Sequence, residues 1–302
     1  MRDAGLAARM SGIIVPVTTP FDGVTGEVAP IGFRENLRKW LAHPIDGVLL
    51  FGSTGEGALL DEEEKERLTG FARSVVPAGF PMLAGVGADS TRATIRQAKR
   101  VAAAGADAVL VHPPPYFGSH LAPAAMAAHF RDVAEASPVP VMLYHIPKYT
   151  KVTLEPGLVA ELTRHDNVIG VKDSSGDVKR FADYTDACGS GCRLFVGSGA
   201  LLYTALELGA AGGIVAIGLL APERCAEVFS LYKAGNGAAA GQVQARLTPV
   251  HKEIVAAYGA VGVKAASEAL GYVGGAPRPP LRPLGKKELQ AVARVMQEAG
   301  LT

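Results

Sequence analysis

Residues 82–112 read MLAGVGADSTRATIRQAKRVAAAGADAVLVH. Two short apolar runs, 82–85 and 108–112, bracket a segment, 91–104, whose apolar residues recur at helical spacing. Strand, crossover helix and second strand make a βαβ unit, which pairs its strands in parallel. The same alternation continues outward in both directions. Further strands are expected at 13–18, 47–51, 139–144, 168–172, 193–197 and 213–217, with further helices at 33–41, 61–75, 124–135 and 221–234. Eight strands alternating with helices and no Pro/Gly/Ser-rich linker fit a (β/α)8 TIM barrel better than an open doubly wound sheet. Residues 1–235 are assigned to the barrel. Residues 236–302 form a C-terminal helical extension packed on it as one structural unit, with helices at 237–258, 261–270 and 286–298 and a Pro-rich connector at 276–283.

Composition excludes several alternatives. The 302 residues are 48% hydrophobic, and 30 basic against 29 acidic side chains leave a formal charge of +1, the opposite of a disordered chain. The same balance gives no support to phosphate-driven nucleic-acid binding. Cys188, Cys192 and Cys225 are too few for a disulfide framework, so a reducing compartment, the cytoplasm, is expected. The longest uncharged stretch, 208–222, is short of the roughly 20 residues of a membrane helix. Residues 1–10 carry Arg2, Asp3 and Arg9 without an apolar core, and no signal peptide is expected.

In such a barrel the chemistry sits at the C-terminal ends of the strands. Those ends carry Gly52-Ser53-Thr54-Gly55-Glu56, the run from His112 to Tyr116-Phe117, then Tyr144, then Lys172. Alternation puts Gly170 and Lys172 on the inner face and Ile169 and Val171 against the outer helices. A lysine inside a barrel is expensive unless it has a function or a partner. At an ordinary pKa of about 10.4 only about one amine in 2,500 is neutral at pH 7; burial raises that fraction and makes a nucleophile for a ketone. The alternative is a lysine ion-paired at a strand end beside Asp173. Tyr144 can relay a proton or plug the barrel as an ordinary aromatic. Gly52-Ser53-Thr54-Gly55 offers amides and hydroxyls to a carboxylate, or is a plain βα turn. It is not a Walker loop. The seven histidines show no metal-ligand spacing, His112 and His145 included, and Asp61 to Glu64 reads as helix capping.

Taken in order, Gly52-Ser53-Thr54-Gly55-Glu56, Leu143-Tyr144-His145-Ile146-Pro147 and Gly170-Val171-Lys172-Asp173-Ser174 resemble the family of dihydrodipicolinate synthase and N-acetylneuraminate lyase, the class I pyruvate-dependent aldolases. The resemblance runs from about Gly12 to the C-terminus and includes Pro16-Val17-Thr18-Thr19-Pro20-Phe21. It implies a homotetramer, a dimer of dimers, working without metal or organic cofactor. Lys172 would form the Schiff base with pyruvate or another 2-oxo acid. Tyr144 would move protons, with Ser53 or Thr54 linking it to solvent, so Lys172, Tyr144 and Thr54 form the expected catalytic set. Gly52, Ser53, Thr54, Ser174, Ile214 and Tyr116 would bind substrate.

Two departures bear on the second substrate. The lysine-pathway synthase has an arginine five residues after the strand-five tyrosine, where this chain has Tyr149. It also has paired tyrosines after strand four, where this chain has Tyr116-Phe117. Lys172-Asp173-Ser174-Ser175-Gly176-Asp177 and Gly271-Tyr272-Val273-Gly274-Gly275 resemble the branch containing 4-hydroxy-2-oxoglutarate aldolase. The expected reaction is therefore cleavage of a 4-hydroxy-2-oxo acid, such as 4-hydroxy-2-oxoglutarate or a 2-keto-3-deoxy sugar acid, to pyruvate and an aldehyde. Condensation of pyruvate with aspartate semialdehyde is the alternative. A non-catalytic oxo-acid-binding protein is a third, opposed by the joint presence of Lys172, Tyr144 and Thr54.

Overall fold

The computed structural model describes residues 4–189 and 191–302; the Arg2 and Asp3 of the N-terminal reading lie outside them. Strands β1 (Gly12–Pro16), β2 (Gly47–Leu50), β3 (Met82–Val86), β4 (Ala108–Val111), β5 (Val141–His145), β6 (Val168–Asp173), β7 (Arg193–Val196) and β8 (Gly212–Ile214) pair in parallel in sequence order. β8 closes on β1, Gly12 opposite Gly212 and Ile14 opposite Ile214. Helices Pro30–Trp40, Glu62–Arg73, Thr91–Ala103, Pro123–Ala136 and Pro222–Lys233 lie where helical spacing was expected. The strands pack these helices with one face and fill the barrel with the other. Ile14, Leu49, Leu83, Leu110, Met142, Phe195 and Ile214 belong to the interior cluster, and Leu6 of the helix Ala4–Arg9 joins it together with Met10, which follows that helix. Arg193 Nε donates to the Ala7 carbonyl at 2.9 Å, tying that helix to the N-terminal start of β7.

One facing expected from strict alternation is wrong. Ile169 belongs to the interior cluster, whereas Val168 and Val171 pack outward against the helices. The cause is a bulge: Val141 pairs with Val168 but Met142 pairs with Gly170, leaving Ile169 as an extra residue in β6. Ile169 and Lys172 consequently both point inward. At Gly170 the neighbouring strand comes so close that a Cβ would sit 2.0 Å from the Arg193 carbonyl oxygen. Gly170→Ala is therefore expected to cost about 3 kcal/mol or more, read as a lowered urea midpoint. An unchanged midpoint would mean that β6 and β7 separate easily here.

The C-terminal helices run Gly237–Val250, a π-helical turn His251–Ala256, Ala257–Ala269 and Lys286–Glu298. The break expected between 258 and 261 is a kink at Gly259 (φ 58°, ψ −140°), a conformation that suits glycine. Among the described residues no helix is long and apolar enough to cross a membrane.

Candidate active site

A cavity of about 690 Å³ opens at the C-terminal ends of the strands. Gly52, Ser53, Tyr144, Ile146 and Tyr149 line it, and the kinked segment Ala257 to Val261 supplies a wall from the C-terminal helices. Tyr144 and Lys172 are register partners on β5 and β6, and so are His145 and Asp173. The first pair faces inward and the second outward.

Lys172 is 4% exposed, and its Nζ lies 4.5 Å from the centre of the Tyr144 ring. Among the described residues it makes no ion pair. Asp173, the expected alternative partner, accepts instead from His145 Nδ1 at 2.7 Å, from the Ser175 N–H at 3.0 Å and from Ser175 Oγ at 2.8 Å. Burial without a counter-charge pushes the Lys172 ammonium down to about 7. Roughly half of such amines are neutral at pH 7, which is what attack on a carbonyl carbon requires.

The Tyr144 hydroxyl lies 3.4 Å from Ser53 Oγ and within hydrogen-bonding reach of the Ser174 side chain. Burial pushes the phenol up from its ordinary pKa, more than these hydroxyls pull it down, so it stays protonated at neutral pH and can pass a proton along the pair. Ser53 opens a short helical turn, Ser53–Gly55, in which Gly55 N–H returns to the Gly52 carbonyl and Glu56 N–H to the Ser53 carbonyl. The leading amides of such a turn have no partner within it.

The remaining candidates are distributed unevenly. Ser174 is half-buried, its N–H on the His145 carbonyl at 2.8 Å. Thr54 is half-buried and takes no part in the Tyr144 contact; Ser53 does. Ile214 is buried in the interior cluster rather than lining the cavity. Tyr116 is 76% exposed and stacked edge-to-face on Phe117, and neither lines the cavity. The turn after β4 carries both rings outward, where none of the described residues covers them. Tyr149, at the position of the missing arginine, does line the cavity; a Cβ on Gly259 would sit 3.3 Å from its hydroxyl.

Lys65 and Glu56 are among the lining residues that escaped the sequence reading. Lys65 directly follows the acidic capping run 61–64, yet it is 5% exposed, 3.5 Å from Gln97 Oε1, and burial pushes its pKa down to about 8. The available signal was phase: Lys65 shares the buried stripe of its helix with Leu68, Thr69 and Ala72. The partners of Glu56 come from the far end of the chain. Among the described residues no three His, Cys, Asp or Glu side chains converge as metal ligands.

Comparisons with known proteins agree with this geometry. The model of the dihydrodipicolinate synthetase family matches residues 9–299. A 4-hydroxy-tetrahydrodipicolinate synthase from Syntrophus aciditrophicus is 31% identical over 290 residues, covering 96% of this chain and 98% of the relative. The crystal structure of a dihydrodipicolinate synthase from Bacillus anthracis superposes with a TM-score of 0.91 at 28% identity, covering 98% of this chain and 99% of the other. YagE, a prophage protein of the dihydrodipicolinic acid synthase family from E. coli K12 solved in complex with pyruvate, superposes with a TM-score of 0.91 at 27% identity, covering 97% and 99%. With a closed eight-stranded barrel, matching strand-end motifs and a family match across nearly the whole chain, the protein belongs to the dihydrodipicolinate synthetase family of class I pyruvate-dependent lyases and aldolases.

Proposed function

We propose that Lys172 forms the Schiff base and that the enzyme cleaves a 4-hydroxy-2-oxo acid to pyruvate and an aldehyde. The observation that carries the proposal is the buried Lys172 amine, without a counter-charge, against the Tyr144 ring. The neutral amine adds to the keto carbon, and loss of water leaves a protonated imine. A base removes the proton of the C4 hydroxyl, the C3–C4 bond breaks, and its electron pair moves into the imine to give the enamine and the free aldehyde. Protonation at C3 and hydrolysis release pyruvate and restore the amine. Tyr144 carries the protons, with Ser53 as its partner at 3.4 Å. The Ser53 and Thr54 amides, with Gly52 leaving room, hold the carboxylate; Ser174 lies beside Tyr144.

The aldehyde end weighs against condensation with aspartate semialdehyde. Among the described residues no arginine lines the cavity; Tyr149 stands there, with Lys148 and Lys65 as the lining cations. The names of the relatives favour a second reading, condensation of pyruvate with aspartate semialdehyde. Pyruvate release from 4-hydroxy-2-oxoglutarate, 2-keto-3-deoxy sugar acids and N-acetylneuraminate, measured beside condensation with the semialdehyde, separates the two. At least about 100-fold higher kcat/KM is expected on a 4-hydroxy-2-oxo acid, the scale on which an unmatched buried polar or charged group discriminates substrates. Efficient condensation would overturn the first reading in favour of the second.

The exposed Tyr116–Phe117 pair suits contact with a second copy, which supports a homotetramer as the working form. A reducing cytoplasmic setting fits Cys188, Cys192 and Cys225, none of which is in a disulfide among the described residues. The barrel, 1–235, and the extension, 236–302, act as one unit in this reading, because residues 257–261 wall the cavity.

A further inference from the structure

Glu56 directly follows the Ser53–Gly55 turn, with its N–H on the Ser53 carbonyl at 3.2 Å. Its backbone is left-handed, φ 54°, a conformation that a non-glycine residue keeps only when its surroundings hold it there. The holding groups come from the C-terminal extension. The Glu56 carboxylate, in a residue 3% exposed, meets the Lys264 ammonium and accepts the Arg278 N–H at 2.9 Å.

Both partners are themselves fixed. Lys264 is 2% exposed, donates to the Ala276 carbonyl at 2.9 Å and lies 4.6 Å from the centre of the Phe21 ring. The Arg278 guanidinium lies 4.3 Å from the same ring, forks onto Glu64 with two contacts of 2.6 Å, and reaches the Gly26 and Leu59 carbonyls at 2.7 and 2.8 Å. Glu64 is thus more than a helix-capping residue: it fixes the arginine whose backbone N–H holds Glu56.

A buried ion pair is weak evidence for stability, since well-packed apolar residues commonly replace one without loss. What this pair does have is position. It joins the strained residue at the end of the substrate-facing turn to a segment more than 200 positions away in sequence. We propose that Glu56, Lys264 and Arg278 form a positioning device. It holds the Ser53–Gly55 turn against Tyr144, so that the C-terminal extension sets both the affinity for the substrate carboxylate and the aim of the Ser53 hydroxyl. Released from these partners, Glu56 relaxes toward a right-handed or extended backbone, and the turn rotates with it. The inference rests on the proposed reading that pyruvate binds at this turn as an imine of Lys172.

The test compares Glu56→Gln with the double variant Glu56→Gln/Lys264→Met, using borohydride trapping of pyruvate on Lys172, turnover and thermal unfolding. Glu56→Gln leaves the Lys264 ammonium buried without its counter-charge and lowers Tm; the double variant removes both charges and recovers Tm. In both, the pyruvate concentration for half-maximal trapping is expected to rise about tenfold, while the trapped fraction at saturating pyruvate stays that of the wild type. A double variant with recovered Tm and wild-type half-saturation would make the device merely structural and overturn the proposal. Should the double variant not fold, Glu56→Gln measured well below its own Tm decides: an unshifted half-saturation overturns the proposal equally. Wild-type protein that pyruvate and borohydride fail to label overturns the reading of the site itself, a different failure from an unshifted variant.

Discussion

Lys172→Ala is expected to abolish the adduct that pyruvate and borohydride leave on the wild-type protein, and to lower turnover at least about 10⁴-fold. Lys65 does not replace it: that amine lines the cavity, but it is held between two helices beside Gln97 rather than against Tyr144. Trapping on the wild type should rise with pH through about 7 and then level, because the attacking species is the neutral amine and burial has pushed the lysine to about 7. Intact-protein mass spectrometry reads the result. Equal added mass on the variant, or a rate still climbing steeply toward pH 10, would defeat the assignment.

The same burial carries a stability consequence. An unfolded lysine titrates near 10.4 and the folded one near 7, so between these values the unfolded chain binds more protons. Stability therefore rises with pH from about 7 to 10, and the burial penalty is fully present below about 7. Lys172→Met should accordingly raise Tm by several degrees at pH 6 while abolishing trapping. A variant no more stable than the wild type at pH 6 would point to a counter-charge for the lysine.

Tyr144→Phe is expected to lower kcat by about 10²- to 10⁴-fold, while the pyruvate concentration for half-maximal trapping at long incubation moves less than about threefold. The ring that packs against Lys172 is retained. The hydroxyl between Ser53 and Ser174 is lost, and with it the proton path for carbinolamine dehydration and bond cleavage. Comparable losses in kcat and in pyruvate affinity would make Tyr144 a positioning residue instead.

The strand ends that carry this chemistry were readable because strands and helices write different periods into the chain. Alternation around residues 82–112 is visible in any window of that length, and so is the placement of Tyr144 and Lys172 at the ends of successive strands. The error at Ile169 shows the limit of that reading. Period two assumes an unbroken ladder, and the close approach of Gly170 to Arg193 accompanies a bulge that no pattern in β6 alone announces. Thr54 and Ser53 were interchangeable on paper, since the turn geometry that turns one hydroxyl toward Tyr144 is set by Glu56, and Glu56 is set by Lys264 and Arg278.

Tyr116 illustrates the same limit from the other side. The resemblance made it a substrate-binding residue, but the ring is exposed, and it is His112 and Pro115 of the same loop that line the cavity. Lys65 stands among glutamates with no motif around it, and the packing of its helix buries it.

The sequence by itself determined the barrel and the chemical types at its strand ends, because side-chain period and strand-end position are local properties of the chain. Tertiary structure alone decided which hydroxyl meets Tyr144, that Asp173 faces away from Lys172, and that the amine is half neutral near pH 7. Desolvation is the reason. A pKa depends on everything that surrounds the group, and Lys172 is buried only once the eight strands have closed into a barrel around it.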